Sequence, residues 1–447
     1  ETAATAAESA STDEAGATAI LGDTDEAWYR QYARDHRVHL LTVLALAAYP
    51  PVYKLAINSG LSAEFVAILP EIEAMVAVLY FGLFAASFDF ISGYTGYLSF
   101  GHAAFYGTGA YLTVLIANGK LSVTLPVLGT VLGAQTEFMV SLLLAGLLAA
   151  VLALVIGSVS FRLSGVYFAM ITLGFSQVLY VFVRDWDFVS DAPRDGVAVT
   201  GRFSGFEIGV PGVDSLNLAV GVLSGDEVTL LNEAITFSAT DVSYYTIGAV
   251  VLVSYLLLQR VIHSPFGRVM IAIRENEERA RAVGYDTFRY KLGAFAISGF
   301  FGGVAGALFA AFRRSVTPEN GFFFLVAGDA LLAAIIGGFG TLIGPLYGRL
   351  FDETVREFLS KSGSGGGLLP WLRANVPESV LSAEIFDGLT VAEAIDTFLN
   401  GHAELYVGLL FVAFVLYVPN GLLGTLRDRA GGTLAKAGIP ALRRWLR

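Results

Sequence analysis

The sequence contains no cysteine, which excludes disulfides, thiolate zinc sites, iron–sulfur clusters and cysteine nucleophiles together. Charge is scarce as well. Lys and Arg number 28 and Asp and Glu 39, so 15 % of 447 residues are charged while 55 % are hydrophobic, against roughly 25 % charged in an average soluble domain. Apolar runs long enough to cross a bilayer recur along the chain, which excludes a soluble enzyme or a nucleic-acid binder. Lipid is therefore an expected partner and nucleic acid is not. Also missing is a phosphate-cradling G-x-x-x-x-G-K-[ST] loop: the only Gly-Lys pair, Gly119-Lys120, is followed by Leu121. If ATP drives this protein, another subunit hydrolyses it. No cofactor is implied. Lysine is rare too, 5 against 23 Arg, and the net charge is −11. An acidic, lysine-poor exterior suits a high-salt cytoplasm and equally reflects GC-rich codon usage.

What is present divides the chain into a tail, a membrane domain and a second tail. Residues 1–37 hold eight acids and no basic residue before Arg30, and read as a disordered tail. They lack the basic opening and immediate apolar core of a signal peptide, although the chain starts at Glu1 without an initiator Met, as a trimmed or processed start would. Ten apolar segments follow, at 38–57, 66–91, 94–118, 138–158, 163–183, 242–262, 291–312, 322–340, 341–358 and 403–423, most near the roughly 20 residues a span needs. The expectation is an all-α polytopic membrane domain over 38–425 with a basic tail at 426–447. The pair 322–358 is interrupted by Gly337, Gly338, Gly340, Gly344 and Pro345 and reads either as two spans or as a re-entrant pair. Basic connections stay in the cytoplasm. Arg162, the connection 263–290 and the C-terminal tail then all fall inside, while the acidic loops 184–241 and 359–402 fall outside, which predicts both termini cytoplasmic. The four Trp (28, 186, 371, 445) lie outside the spans, as interfacial anchors would.

Two glycine-interrupted stretches stand out, GYTGYLSFGHAAFYGTGAY at 93–111 and GGFGTLIGPLYG at 337–348. A broken membrane helix exposes backbone groups that lipid cannot satisfy but water or a solute can, although small residues also serve close helix packing. The charged connection from Ser264 to Leu292 is helix-prone between Met270 and Val283 and stopped by Gly284. Glu277 and Arg281 share one face, beside the small residues Ala280 and Ala282. Such a segment fits a groove on a motor subunit or is simply a solvated loop.

The order of Gly-Tyr-x-Gly-x-x-Ser-Phe-Gly-His-Ala-Ala-Phe-x-Gly-x-Gly-Ala-Tyr (93–111), Pro265-Phe266-Gly267-Arg268 through Gly284, Lys291-Leu292 with AFAISGFFGGVAGAL (294–308), GGFGTLIGP (337–345) and Pro419-Asn420-Gly421-Leu422 resembles the branched-chain amino acid permease family of ABC importers, its LivM-like subunits. That family also holds urea and short-chain amide permeases. The resemblance, covering residues 66–425, implies a plasma-membrane subunit that pairs with a second related permease, binds two ATPase subunits and receives solute from an external binding protein. It further implies a motor-coupling helix carrying Arg274, Glu275, Glu277, Glu278, Ala280 and Gly284. The acidic N-terminal tail and the two long acidic loops look like additions to the family pattern and put docking of the binding protein in question.

Candidate path residues are Ser99, Phe100, Gly101, His102, Phe105 and Gly107 in the first broken stretch, Gly338 and Gly340 in the second, and Asp329. His102 either contacts solute or relays protons, or braces a broken helix. Asp329, a carboxylate at membrane depth, must be paired, hydrated or protonated, so it faces the path or ties two helices. Asp89 closes the second segment. Two rival classes remain: an ion-coupled transporter relying on Asp89 and Asp329, and an intramembrane serine protease using Ser99, whose surroundings lack the G-x-S-G pattern.

Overall fold

The computed structural model describes residues 37–58, 69–125, 129–133, 136–201, 207–208, 216–217, 228–230, 235–360, 375–386, 389–399, 403–418 and 421–425. The expected tails at 1–37 and 426–447 lie outside them except for Arg37, as do parts of both acidic loops and Pro419-Asn420. The chain divides into two compact units, Pro50–Arg427 and a smaller one of residues 1–49 with 428–447. Of the smaller unit, only residues 37–49 are described, all helical.

Each of the ten expected segments coincides with a helix. They are α1 (Arg37–Asn58), α2 (Ile72–Thr95), α3 (His102–Ala117), α4 (Phe138–Ser160), α5 (Val166–Arg184), α6 (Ala239–Ile262), α8 (Thr287–Arg313), α10 (Phe324–Gly337), α11 (Gly344–Ser360) and α14 (Ala403–Tyr417). The connections add α7 (Pro265–Ala282), α9 (Pro318–Phe322), α12 (Glu378–Leu381) and α13 (Val391–Leu399). Strands among the described residues are two to four residues long and pair only in twos, so the fold is all-α. Among the described residues five helices, α2, α4, α5, α6 and α8, are long and apolar enough to cross a membrane. By contrast, α10 has 14 residues, about 21 Å at 1.5 Å per residue, short of the ~30 Å hydrocarbon core.

Burial separates core from periphery among these equally apolar helices. The most apolar windows of α2 and α8 are 94 % and 83 % buried, against 39 %, 28 % and 33 % for α4, α5 and α6. Lipid is as apolar as leucine, so buried membrane helices are held by close van der Waals fit rather than by escape from water. The composition of α8 supplies that fit. Gly299 and Gly303 admit Ala153 and Ala149 of α4, while Gly306 lies against the Tyr106 carbonyl of α3. In the hairpin of α10 and α11, Gly337 and Gly348 lie against the Gly344 and Ala333 carbonyls. The motif AFAISGFFGGVAGAL is therefore a two-sided packing surface.

At the Arg313 end of α8 the first part of the acidic loop 184–241 is folded onto the helices. Val197 and Ala198 pair antiparallel with Val316 and Ser315. Asn118, at the end of α3, accepts the Thr200 N–H at 2.8 Å and donates to the Ala198 carbonyl at 2.9 Å, and Lys120 donates to the Val189 carbonyl at 2.9 Å.

Candidate functional site

Both helix breaks meet at the opposite end of α8, and the connection α7 joins them. Helix α2 runs past the expected end at 91 because Thr95 is still in register. It stops at Gly96, whose φ of +79° is left-handed and whose N–H reaches the Ser92 carbonyl at 3.1 Å. Helix α10 stops at Gly338 (φ +126°), and Gly340 is also left-handed (φ +79°), a conformation that favours glycine. Asp89, fully buried on α2, accepts the Gly340 N–H at 2.9 and 3.1 Å. The Tyr94 hydroxyl accepts the Leu342 N–H at 3.1 Å. Backbone groups released by the second break are thus satisfied by side chains of the first, as groups at membrane depth require. A Cβ at Gly93 would meet Asp89 Oδ1 at 2.5 Å and Gly340 Cα at 2.8 Å, so the two breaks touch through backbone.

Arg274 of α7 closes this junction. Its Nη1 donates to the Gly93 carbonyl at 2.5 Å and lies 3.2 Å from where a Gly340 Cβ would stand. A second link runs through Glu277. Its carboxylate accepts from the Tyr97 hydroxyl at 2.6 Å, Lys291 Nζ at 2.8 Å, Thr287 Oγ1 at 3.0 Å and Arg281 Nη2 at 3.1 Å. Tyr97 belongs to the first break and Lys291 and Thr287 to α8, so one carboxylate ties three pieces of chain. The Lys291 side chain is only 5 % exposed, and its ammonium lies 4.7 Å from the Tyr97 ring centroid. Burial alone pushes the Glu277 carboxyl up. The hydrogen bonds from Lys291, Tyr97 and Thr287, with the Lys291 charge, outweigh it and hold the carboxyl below its ordinary value.

The connection is helical where expected, with a break inside it. Asn276 is extended (φ −165°, ψ 103°), and its Oδ1 accepts the Arg279 N–H at 2.8 Å, so it caps a last short helical stretch, 277–282. Gly284 (φ +103°) ends that stretch, with its N–H on the Arg281 carbonyl at 3.0 Å and the Tyr285 N–H on the Ala280 carbonyl at 3.2 Å, the paired bonds of a Schellman cap. Ala280 is buried with Val269 and Ile273 against Tyr290, whereas Glu275, Glu278, Val283 and Tyr285 are exposed. The expected coupling residues therefore split: Arg274, Glu277 and Ala280 engage the permease, and Glu275, Glu278 and Gly284 present outward. Nothing lies within 4 Å of a Cβ at Gly284. Gly284→Ala and Gly284→Asp are accordingly expected to lower thermal stability by a similar amount, about 1 kcal/mol for a left-handed non-glycine. If the exposed turn docks a partner, only the Asp variant loses co-purifying subunits.

The first break's other candidates are packing residues. His102 is fully buried, its Nε2 3.0 Å from Ser298 Oγ of α8 and 3.4 Å from Ser87 Oγ of α2, ringed by Phe84, Phe88, Phe105 and Phe295. It braces three helices. Ser99 is buried without a hydrogen-bond partner, and no histidine contact to it appears among the described residues. Gly101 abuts the Thr172 carbonyl and Gly107 the Phe322 ring; Phe105 is buried and Phe100 half-buried. Asp329 is different, with 43 % of its side chain exposed and Arg356 3.9 Å away. Sequence reasoning passed over Tyr97 and the charged residues of α11, although the spacing of Arg349, Asp352, Glu353 and Arg356 places all four on one helical face.

An all-α membrane bundle in which a charged connection grips one broken stretch, itself bonded to a second, defines a polytopic transport-type membrane protein. Residues 72–365 match the family described as the branched-chain amino acid transport system permease component, and the chain belongs to that family. It is a multi-pass protein of the cell membrane. It is 27 % identical over 273 residues to the high-affinity branched-chain amino acid transport system permease protein LivM of Salmonella typhimurium, and equally to that of Escherichia coli. These alignments cover 60 % of this chain and 59 % of each relative. A probable LivM of Methanocaldococcus jannaschii is 31 % identical over 110 residues, 24 % of this chain and 30 % of that one. No solved structure matches.

Proposed function

We propose that this protein is the permease subunit of an ABC importer carrying branched-chain or similar amino acids inward. Separate subunits hydrolyse the ATP, a second related permease completes the path and an external binding protein delivers the solute. One observation supports the reading beyond family membership: the connection that the resemblance gives to motor contact holds the first broken stretch through Arg274 and Glu277, and Asp89 and Tyr94 tie that stretch to the second. A push on the exposed turn at Glu278 to Tyr285 therefore reaches the Gly93 carbonyl and the Gly340 turn through a short chain of bonded groups. Alternating access follows if the two breaks open and close together as the motors do. Both termini and the connection 263–290 face the cytoplasm in this scheme.

The test is co-purification from mild detergent with the ATPases and binding protein encoded nearby, followed by ATP-driven leucine uptake into vesicles. Arg274→Ala is expected to keep ATP hydrolysis and lose uptake about tenfold or more, the scale of a lost charge-assisted hydrogen bond. Uptake driven by an ion gradient without ATPases would establish a secondary transporter instead. ATP-driven uptake of urea or an amide but not leucine would keep the assembly and change the cargo.

A further inference from the structure

The α10–α11 hairpin carries a charged face that the coupling junction does not use. Along α11, Arg349, Asp352, Glu353, Arg356 and Glu357 recur at spacings of three and one, which gathers them on one side of a helix. The other side is apolar, with the Phe351 ring 5.7 Å from and tilted against that of Phe414 of α14. Arg349 lies 4.5 Å over the Phe81 ring of α2, nine residues inside that helix, about 14 Å from its start. It bonds Asp352 at 2.6 Å and also Glu353. Arg356 bonds Asp352 at 3.0 Å and faces Asp329 of α10 at 3.9 Å. Glu357 accepts the Glu71 N–H at 3.1 Å, so the stripe runs from mid-helix to the start of α2.

These groups are not sealed away. Side-chain exposure rises from 9 % at Asp352 and 14 % at Arg349 through 25 % at Arg356 to 43 % at Asp329. Hydrocarbon cannot border the open end, because charges at membrane depth face a partner or a water-filled cavity. Arg349 is committed within the stripe, its two Nη atoms on Asp352 and Glu353 and its Nε buried, so the guanidinium nearer the open end is that of Arg356, whose planar fork suits carboxylates. Adjacent fixed charges of both signs match a solute that carries both signs.

We infer that this face of α10 and α11 is a zwitterion-binding stretch of the permeation path, with Arg356 taking the α-carboxylate and Asp329 the α-ammonium of an amino acid. The identity of the solute rests on the importer reading; the location of the water-filled, dipolar site does not. Asp352 and Glu353 hold the two guanidinium groups in place, since a lone Arg here would be an unpaired charge at membrane depth.

The absence of cysteine makes a direct test available. Leu325 lies one helical turn before Asp329 and is 56 % exposed. In native membranes, Leu325→Cys is expected to react with a charged, water-borne thiol reagent, and millimolar leucine to slow the reaction. Isocaproate, which lacks the ammonium, and isoamylamine, which lacks the carboxylate, are expected not to protect. Adding Asp329→Asn or Arg356→Lys is expected to weaken leucine protection about tenfold, as for a lost charge-assisted hydrogen bond. Failure of the charged reagent to react, while a lipid-soluble thiol reagent does, would place the face against lipid or a partner subunit and overturn the proposal. Equal protection by all three solutes, or protection unchanged in Asp329→Asn and Arg356→Lys, would overturn it as well. Protection by leucine alone together with no ATP-driven uptake would leave this site standing and remove the importer reading.

Discussion

Glu277→Ala is expected to destabilise the protein by about 3 kcal/mol, the scale of stripping one partner from a buried ion pair. The reason lies less in the lost bonds than in what remains. Lys291 is 5 % exposed and, without its carboxylate, is an ammonium left between the Tyr97 and Phe161 rings, 4.7 and 5.5 Å away. Ring faces alone offset only ~1–2 kcal/mol of such a charge. Lys291→Met in the same chain is expected to restore most of the loss, because the second change removes the stranded charge. A thermal melt in detergent decides between the two accounts: a double variant no more stable than Glu277→Ala would show that the bonds themselves, not the unpaired charge, carry the effect. Acid acts on the same pair. The Glu277 carboxyl is held below its ordinary value of 4.5, so its contribution is complete above that value and falls away as pH drops through the lower, folded-state value. The glutamate is 23 % exposed, which keeps the size of that loss modest. A transport defect in Glu277→Ala alone does not report motor contact, since this side chain points into the permease. Glu278→Lys is the variant that tests the outward face.

The sequence displayed the helices and hid their contacts, and the reason is physical. Ten apolar segments each became a helix because apolar length and glycine punctuation are local signals, readable without tertiary context. The residues of the junction are readable only in pairs. Asp89 and Gly340 are 251 positions apart, and nothing near Asp89 announces that its acceptor role is to cap a second broken helix. Glu277 illustrates the opposite error. Its local pairing with Arg281 was visible at four-residue spacing and is present at 3.1 Å, yet that solvated contact is the least informative of its four. The partners that decide its orientation, Tyr97 and Lys291, come from other segments. The stripe on α11 was legible in principle. Length and glycine content, the signals that mark 341–358 as a segment, say nothing of which face its charges share. His102 stood out by being polar in an apolar run, which is equally the mark of a brace, and its bonds to Ser87 and Ser298 identify it as one.

Gly306→Ala is expected to destabilise the protein by about 3 kcal/mol or more, beyond the usual range for overpacking. The new Cβ would stand 2.7 Å from the Tyr106 carbonyl carbon and 3.1 Å from the Ala110 nitrogen, closer still to the Tyr106 oxygen. All three are backbone atoms in the middle of α3, so no rotamer change relieves the clash and the two helices must separate. Separation opens the contacts that lipid cannot replace as well as a fitted partner can, because apolar burial gives membrane helices no preference for protein over lipid. It also pulls Ser298 away from His102, 3.0 Å apart, leaving a buried imidazole short of a partner. Gly328→Ala supplies the control. That glycine is also helical, with nothing within 4 Å of the added Cβ, and alanine there is expected to be neutral or to stabilise by up to ~1 kcal/mol through helix propensity. Gly303→Ala presses instead on the Ala149 Cβ of α4 at 2.5 Å and the Ala145 carbonyl oxygen at 2.7 Å, a less close approach to backbone, and should fall between the two. Thermal unfolding of the three variants in one detergent tests the ordering. If Gly306→Ala melts with Gly328→Ala, then α8 is held by something other than its glycine face, and the motif at 294–308 marks a different constraint from the close approach of α3.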